Sequence, residues 1–284
     1  MNLHIVMDST AHPDPAWLAM HPNVHIVPLS VEFAGHEYKE NELEAEDLFS
    51  LIDQGKGFPK TSQPAPGVFQ GVFEPLLQEG AEIVVITLAA ALSGTVRSAK
   101  LAQSLCGSVA CDKIAVVDSG TTAIGMVQLA EDALTAAAQG VAFSEIVAKL
   151  RNLAAKNHTF FVPGTLEYLH KGGRIGGAAA LFGGILKIRP VLYLVEGKVE
   201  ILEKVRTRSR AIERMVDEIV KLAAERSVES FGVVHIGAAD EGEKLRDVLQ
   251  ERLPQASFSL STGGSVLAAH LGPGLVGVIV QERL

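Results

Sequence analysis

The sequence predicts an α/β protein of two domains. The first is expected to have a mostly parallel sheet flanked by helices, the second an α+β arrangement with a mixed sheet. Two observations carry this. In the first half, short β-branched apolar runs alternate with stretches of helical periodicity, as in Glu82-Ile83-Val84-Val85-Ile86-Thr87-Leu88 followed by Ala99, Leu101, Ala102 and Leu105. That rhythm implies strands buried on both faces and joined by crossover helices. In the second half, Val191–Val195 and Val199–Leu202 flank Glu196-Gly197-Lys198, the pattern of a hairpin around a glycine turn. The texture changes near Asn157, so the domains are placed at residues 1–158 and 159–284. A ligand is expected in the cleft between them, because ligands of parallel sheets gather at the carboxyl ends of the strands.

Leu3–Met7 reads as the first strand, ending in the polar turn Asp8-Ser9-Thr10. Val24–Phe33 reads as one long second strand, followed by an acidic helix over Glu44–Asp53. Gly55–Pro66, rich in Gly, Pro, Ser and Thr, reads as a loop. Helix Gly67–Leu77, strand Glu82–Leu88, helix Thr95–Leu105, strand Lys113–Asp118 and helices Thr121–Ala138 and Ser144–Lys156 complete the first half. A strand from Phe160, a short helix at Leu166–Leu169 and the hairpin follow. Helix Arg208–Glu225, strand Phe231–Ile236, helix Glu241–Leu253 and strands near Phe258 and Val276 close the chain.

Composition narrows the function. Of 284 residues 48% are apolar, ample for a large core. A mean hydropathy of +0.25 also fits an internal apolar cavity. Lys+Arg 25 against Asp+Glu 33, a net charge of −8, excludes a general electrostatic footprint for nucleic acid or anionic membranes, leaving at most transient membrane contact. Cys106 and Cys111 lack zinc spacing and read as reduced structural thiols. The N-terminal stretch has no basic region before its apolar run, which Asp8 interrupts, so a cytoplasmic protein is expected.

The most telling motif is Leu92-Ser93-Gly94-Thr95, between a buried strand and a helix. Such a turn offers hydroxyls and free backbone N–H groups where an anionic oxygen is favoured. The plain alternative is that Ser93 or Thr95 only caps its own helix. Pro59-Lys60-Thr61-Ser62-Gln63-Pro64 supplies a second hydroxyl loop pinned by prolines. Gly172-Gly173-Arg174-Ile175-Gly176-Gly177 allows close backbone approach beside an arginine suited to carboxylate or phosphate. His270, read as a loop residue before Gly272-Pro273-Gly274, is placed to point into a cleft. A hydrolase elbow, a P-loop, a dinucleotide fingerprint and a metal-binding His/Glu motif are absent, so no catalytic residue, metal or cofactor is assigned.

Together these segments resemble the DegV family of bacterial fatty-acid-binding proteins. The motifs that carry the resemblance are Val6-Met7-Asp8-Ser9-Thr10, Val27-Pro28-Leu29, Thr61-Ser62-Gln63-Pro64, Leu92-Ser93-Gly94-Thr95, Val117-Asp118-Ser119, Leu166-Glu167-Tyr168-Leu169 with Gly172-Gly173-Arg174-Ile175, Lys204-Val205-Arg206-Thr207 and His270-Leu271-Gly272-Pro273-Gly274. They fall in the family's order over about residues 3–282. The resemblance implies one bound long-chain fatty acid, presented to a separate fatty acid kinase related to dihydroxyacetone kinases for acyl-phosphate formation in phospholipid synthesis. It implies that Thr61, Ser93 and His270, helped by the Gly94 N–H, hold the carboxylate. Arg174 and Arg206 become candidates for kinase docking or alignment, against a plain reading of the Lys204–Arg210 basic run as a solvated face. The sequence departs from the family after Thr10 and after Tyr38, positions that bear on the cleft rim. Apolar Ala178–Phe182, Ile185 and Leu186 are candidates to line the tunnel or simply the core. A Ser93/His270 acyl-ester hydrolase or acyltransferase is the alternative, and a small sugar-phosphate binder a third.

Overall fold

The computed structural model describes residues 2–55, 57–181 and 188–283. Strands β1 (Leu3–Asp8), β2 (Val24–Val27), β6 (Glu82–Thr87) and β7 (Ile114–Asp118) form an all-parallel sheet in the order β2-β1-β6-β7. Alternation along β6 sends Ile83 and Val85 to one face and Val84 and Ile86 to the other, and all four are fully buried. Helices Pro66–Gln78 and Thr95–Leu105 cover the first face with Phe69, Phe73, Val96 and Ala99. Helices Ile124–Ala138 and Phe143–Ala154 cover the second with Met126, Leu129, Ile146 and Leu150. The continuous apolar runs of the sequence are therefore strands enclosed on both sides.

The expected single strand Val24–Phe33 is two strands in two sheets. Pro28, which has no N–H to give a ladder, separates β2 from β3 (Ser30–Phe33). Strand β3 pairs antiparallel with β4 (His36–Lys39) and with β5 (Lys60–Ser62). The segment expected to be a loop thus contains a strand, with Thr61 opposite Val31. Helix Pro15–Met20 also escaped the sequence reading. It is specified by its cap, the Asp14 carboxylate accepting from Ala16 N–H and Trp17 N–H, and it buries no residue that would print a periodicity.

The mixed sheet runs β10-β9-β8-β13-β11-β12, from β8 (Asn157–Val162), β9 (Arg189–Val195), β10 (Lys198–Val205), β11 (Val228–Ile236), β12 (Phe258–Thr262) and β13 (Leu275–Glu282). Only β11 with β12 is a parallel pair. One face packs on helices Arg208–Glu225 and Ala239–Arg252. The opposite face, with Phe161, Leu192, Val234 and Ile279, joins Leu29, Val31, Leu48 and Ala123 in one apolar cluster. That cluster includes helix Ser265–Leu271, so His270, expected in a loop, is helical. His270 lies in its last turn. Cys106 is a free thiol.

Candidate functional site

A cavity of about 330 Å³ opens within the apolar cluster between the mixed sheet, β3 and helix Ser265–Leu271. Leu29, Leu169, Val234, Ile236, Val266 and Leu267 form much of its wall. At one place the lining becomes polar, with Thr61, Gln63, Ser93, Gly94, Arg174 and His270.

Each polar residue is placed by its own element. Thr61 is β-branched and sits on β5, where pairing with β3 holds it. Ser93 ends the β6-to-helix connection. Its Oγ lies 2.9 Å from Thr95 Oγ1 and accepts the Thr95 N–H at 3.3 Å. The local capping alternative therefore describes part of what Ser93 does, while the residue also lines the cavity. His270 Nε2 lies 2.7 Å from Thr61 Oγ1, bridging positions 209 residues apart in sequence. Its Nδ1 is buried and has no hydrogen-bond partner among the described residues.

The glycine-rich segment now has a physical role. A Cβ on Gly172 would stand 2.3 Å from His270 Nδ1, so only glycine admits the ring there. Gly173, at φ +69°, ends helix Glu167–Gly172 in the left-handed conformation. Arg174 turns back, its Nη1 donating to Gly172 O at 2.8 Å. Burial, with the nearby Arg174 charge second, pushes the His270 imidazole down to about 4, so the ring is neutral at physiological pH. Ser93 and His270 share no hydrogen bond, the serine being turned to Thr95 and the histidine to Thr61.

Thr61, Ser93, Gly94, His270 and Arg174 are thus brought to one cavity. Arg206 is not brought to it. It is exposed in the link between β10 and helix Arg208–Glu225. In the same basic run, Arg208 is structural. It pairs with Glu241 and donates to the backbone oxygens of Pro163 and Gly274. Arg210 pairs with Glu213 at 2.7 Å. Among the expected tunnel residues, Ala178 is buried in the apolar cluster, while Phe182, Ile185 and Leu186 lie outside the described residues. The sequence reading missed the wall residues of β11 and of helix Ser265–Leu271, and it missed Gln63, whose signal was its place between Thr61 and Pro64.

A buried carboxylate ties the walls together. Glu40 accepts from Ser9 Oγ and from Val266 N–H at 3.0 Å, and Ser9 Oγ in turn accepts the Leu29 N–H at 2.9 Å. Burial pushes Glu40 up to about 7 and Asp8 up to about 6. Groups whose pKa rises on folding favour the fold while protonated, and their contribution is lost as pH rises through the folded value. Melting temperature should therefore fall between about pH 4 and 7, and Glu40→Gln should flatten the upper part of that fall. A variant with the same fall as wild type would overturn the assignment.

The DegV family model, described as "Uncharacterised protein, DegV family", matches residues 2–283. The chain belongs to the DegV family. A DegV domain-containing protein of Clostridium perfringens is 36% identical over 279 residues, covering 98% of each chain. The fatty-acid-binding DegV family protein from Thermus thermophilus superposes with a TM-score of 0.92 over 100% of both chains at 31% identity. A stearic-acid-binding protein from Eubacterium ventriosum gives 0.90 over 99% and 98% at 29% identity. The DegV fold accounts for the parallel sheet and the mixed sheet. Among the described residues of this DegV chain no helix is long and apolar enough to cross a membrane, and no group of three or more His, Cys, Asp or Glu is poised to hold a metal.

Proposed function

We propose that this chain binds one long-chain fatty acid in the cavity and presents its carboxylate to a separate fatty acid kinase in the cytoplasm. The observation that carries the reading is a largely apolar cavity with one polar end made of hydroxyls, a backbone turn and a neutral imidazole. Burying roughly 14 methylenes of a palmitate-sized chain is worth on the order of 11 kcal/mol gross, so the tail supplies affinity. The head group sets position. With its proton on Nε2, His270 donates to Thr61 Oγ1, which leaves the Thr61 O–H free to donate to a carboxylate oxygen. Ser93 Oγ–H and the Gly94 N–H are the further donors. Arg174 at the rim and the exposed Arg206 are the groups assigned to aligning the loaded carboxylate with the kinase and its nucleotide.

The carrier reading is favoured over the Ser93/His270 hydrolase because, among the described residues, no base is bonded to Ser93, and the imidazole is a poor base at about 4. Mass spectrometry of gently purified protein tests it. A non-covalent fatty acid released on denaturation is expected, together with acyl phosphate formed only when kinase and ATP are added. A covalent acyl group on Ser93 or a short polar ligand would overturn it.

A further inference from the structure

Thr61 with His270 and Ser93 with Gly94 belong to two separate segments, the end of β5 and the start of helix Thr95–Leu105. For both to serve one carboxylate, their separation must be fixed to within a few tenths of an ångström. Gln63 stands between them. It follows Thr61 by two residues, so an extended chain sends both side chains to the same side. The next residue, Pro64, is buried and restricts the backbone at the end of the strand. From there the Gln63 amide reaches across to the helix, where Nε2 donates to Ser98 Oγ at 2.8 Å. Ser98 is itself buried, one turn beyond Gly94. Gly94 makes the crossing possible: a Cβ there would stand 1.8 Å from Gln63 Oε1. Among the described residues, this is the side-chain hydrogen bond that joins the two hydroxyl-bearing segments.

We infer that Gln63 is a positioning residue for the head-group site, a clasp that sets the spacing between Thr61–His270 and Ser93–Gly94 and so makes the cavity select a carboxylate over an uncharged head. The inference rests on the fatty-acid reading above. Gln63 is exposed outside the clasp and fills none of the apolar wall, so its loss leaves the tail's environment as it was. Gln63→Ala releases the spacing. Gln63→Glu keeps the length of the side chain but brings a negative charge to Gly94, where it opposes a carboxylate directly.

The experiment is competition against a fluorescent apolar probe, anilinonaphthalene sulfonate, with palmitate and hexadecanol as competitors on wild type, Gln63→Ala and Gln63→Glu. Wild type is expected to prefer palmitate. Gln63→Ala should lower palmitate affinity roughly five- to tenfold and Gln63→Glu further, with hexadecanol affinity unchanged in both. Equal losses for acid and alcohol would mean a merely structural role and would overturn the inference, as would a palmitate preference untouched in Gln63→Ala. Tighter palmitate binding by Gln63→Ala would make Gln63 a gate instead and would also overturn it. A wild type that binds neither competitor would sink the fatty-acid reading itself, which separates the two failures.

Discussion

A Thr61→Val/Ser93→Ala double variant is expected to lose fatty-acid affinity by on the order of a hundredfold while keeping its fold. Both changes remove a hydroxyl without altering the chain's path, and Val at 61 preserves the β-branched shape that suits β5. Thr61→Val also takes from His270 Nε2 its hydrogen-bond partner among the described residues, where Nδ1 has none. Each lost partner of a buried charged head costs about 1–3 kcal/mol, and about 1.4 kcal/mol is tenfold in affinity. If both hydroxyls serve one carboxylate, as proposed, the two losses are coupled, and the double variant measures them as a unit. The acyl tail still buries its methylenes, so a residual affinity governed by chain length remains. Titration of wild type and variant with a series of fatty acids checks this. Affinities that match wild type would remove Thr61 and Ser93 from the head-group site.

Gly164→Ala should lower the melting temperature by several degrees and weaken ligand binding with it. A Cβ at Gly164 would stand 2.3 Å from Pro273 O and 3.0 Å from Gly274 Cα, which are backbone atoms. They cannot swing aside as a side chain can, because the loop is pinned on both sides. Gly274 N–H donates to Ile236 O at 2.8 Å, and Arg208 donates to Gly274 O. Forcing a methyl into such a contact costs about 1–3 kcal/mol, and about 1 kcal/mol moves the melting temperature of a chain this large by roughly 2–4 °C. The displaced loop follows the helix that carries His270, so the imidazole moves with it. Thermal melts and palmitate titration of the variant check both halves, and an unchanged melting temperature would refute the first.

The parallel sheet was legible because Ile83–Ile86 and Ile114–Val117 are short, apolar and enclosed on both faces, a pattern that local sequence carries by itself. The mixed-sheet hairpin was legible from Gly197 between two β-branched runs. Helix Ser265–Leu271 was not, since its seven residues span barely two turns, too few for a helical period to read. Strand β5 was hidden for a different reason: it has three residues and is held by β3, some 30 positions away. The polar end of the cavity was legible as motifs, one hydroxyl turn and one histidine at a time. The bond between Thr61 and His270 was not, because it depends on tertiary packing across 209 positions. Gln63 went unread because its partner, Ser98, looks like an ordinary helix residue.

The cavity lies inside the apolar cluster that joins the mixed sheet to β3 and helices Ala45–Asp53 and Ser265–Leu271, so an occupant is in effect a removable piece of the protein's interior. Whatever fills that space contributes to folding free energy by mass action, in proportion to the logarithm of its concentration over its dissociation constant. On the proposed fatty-acid reading, the lipid supply of the surroundings would then set how long the protein resists unfolding and proteolysis.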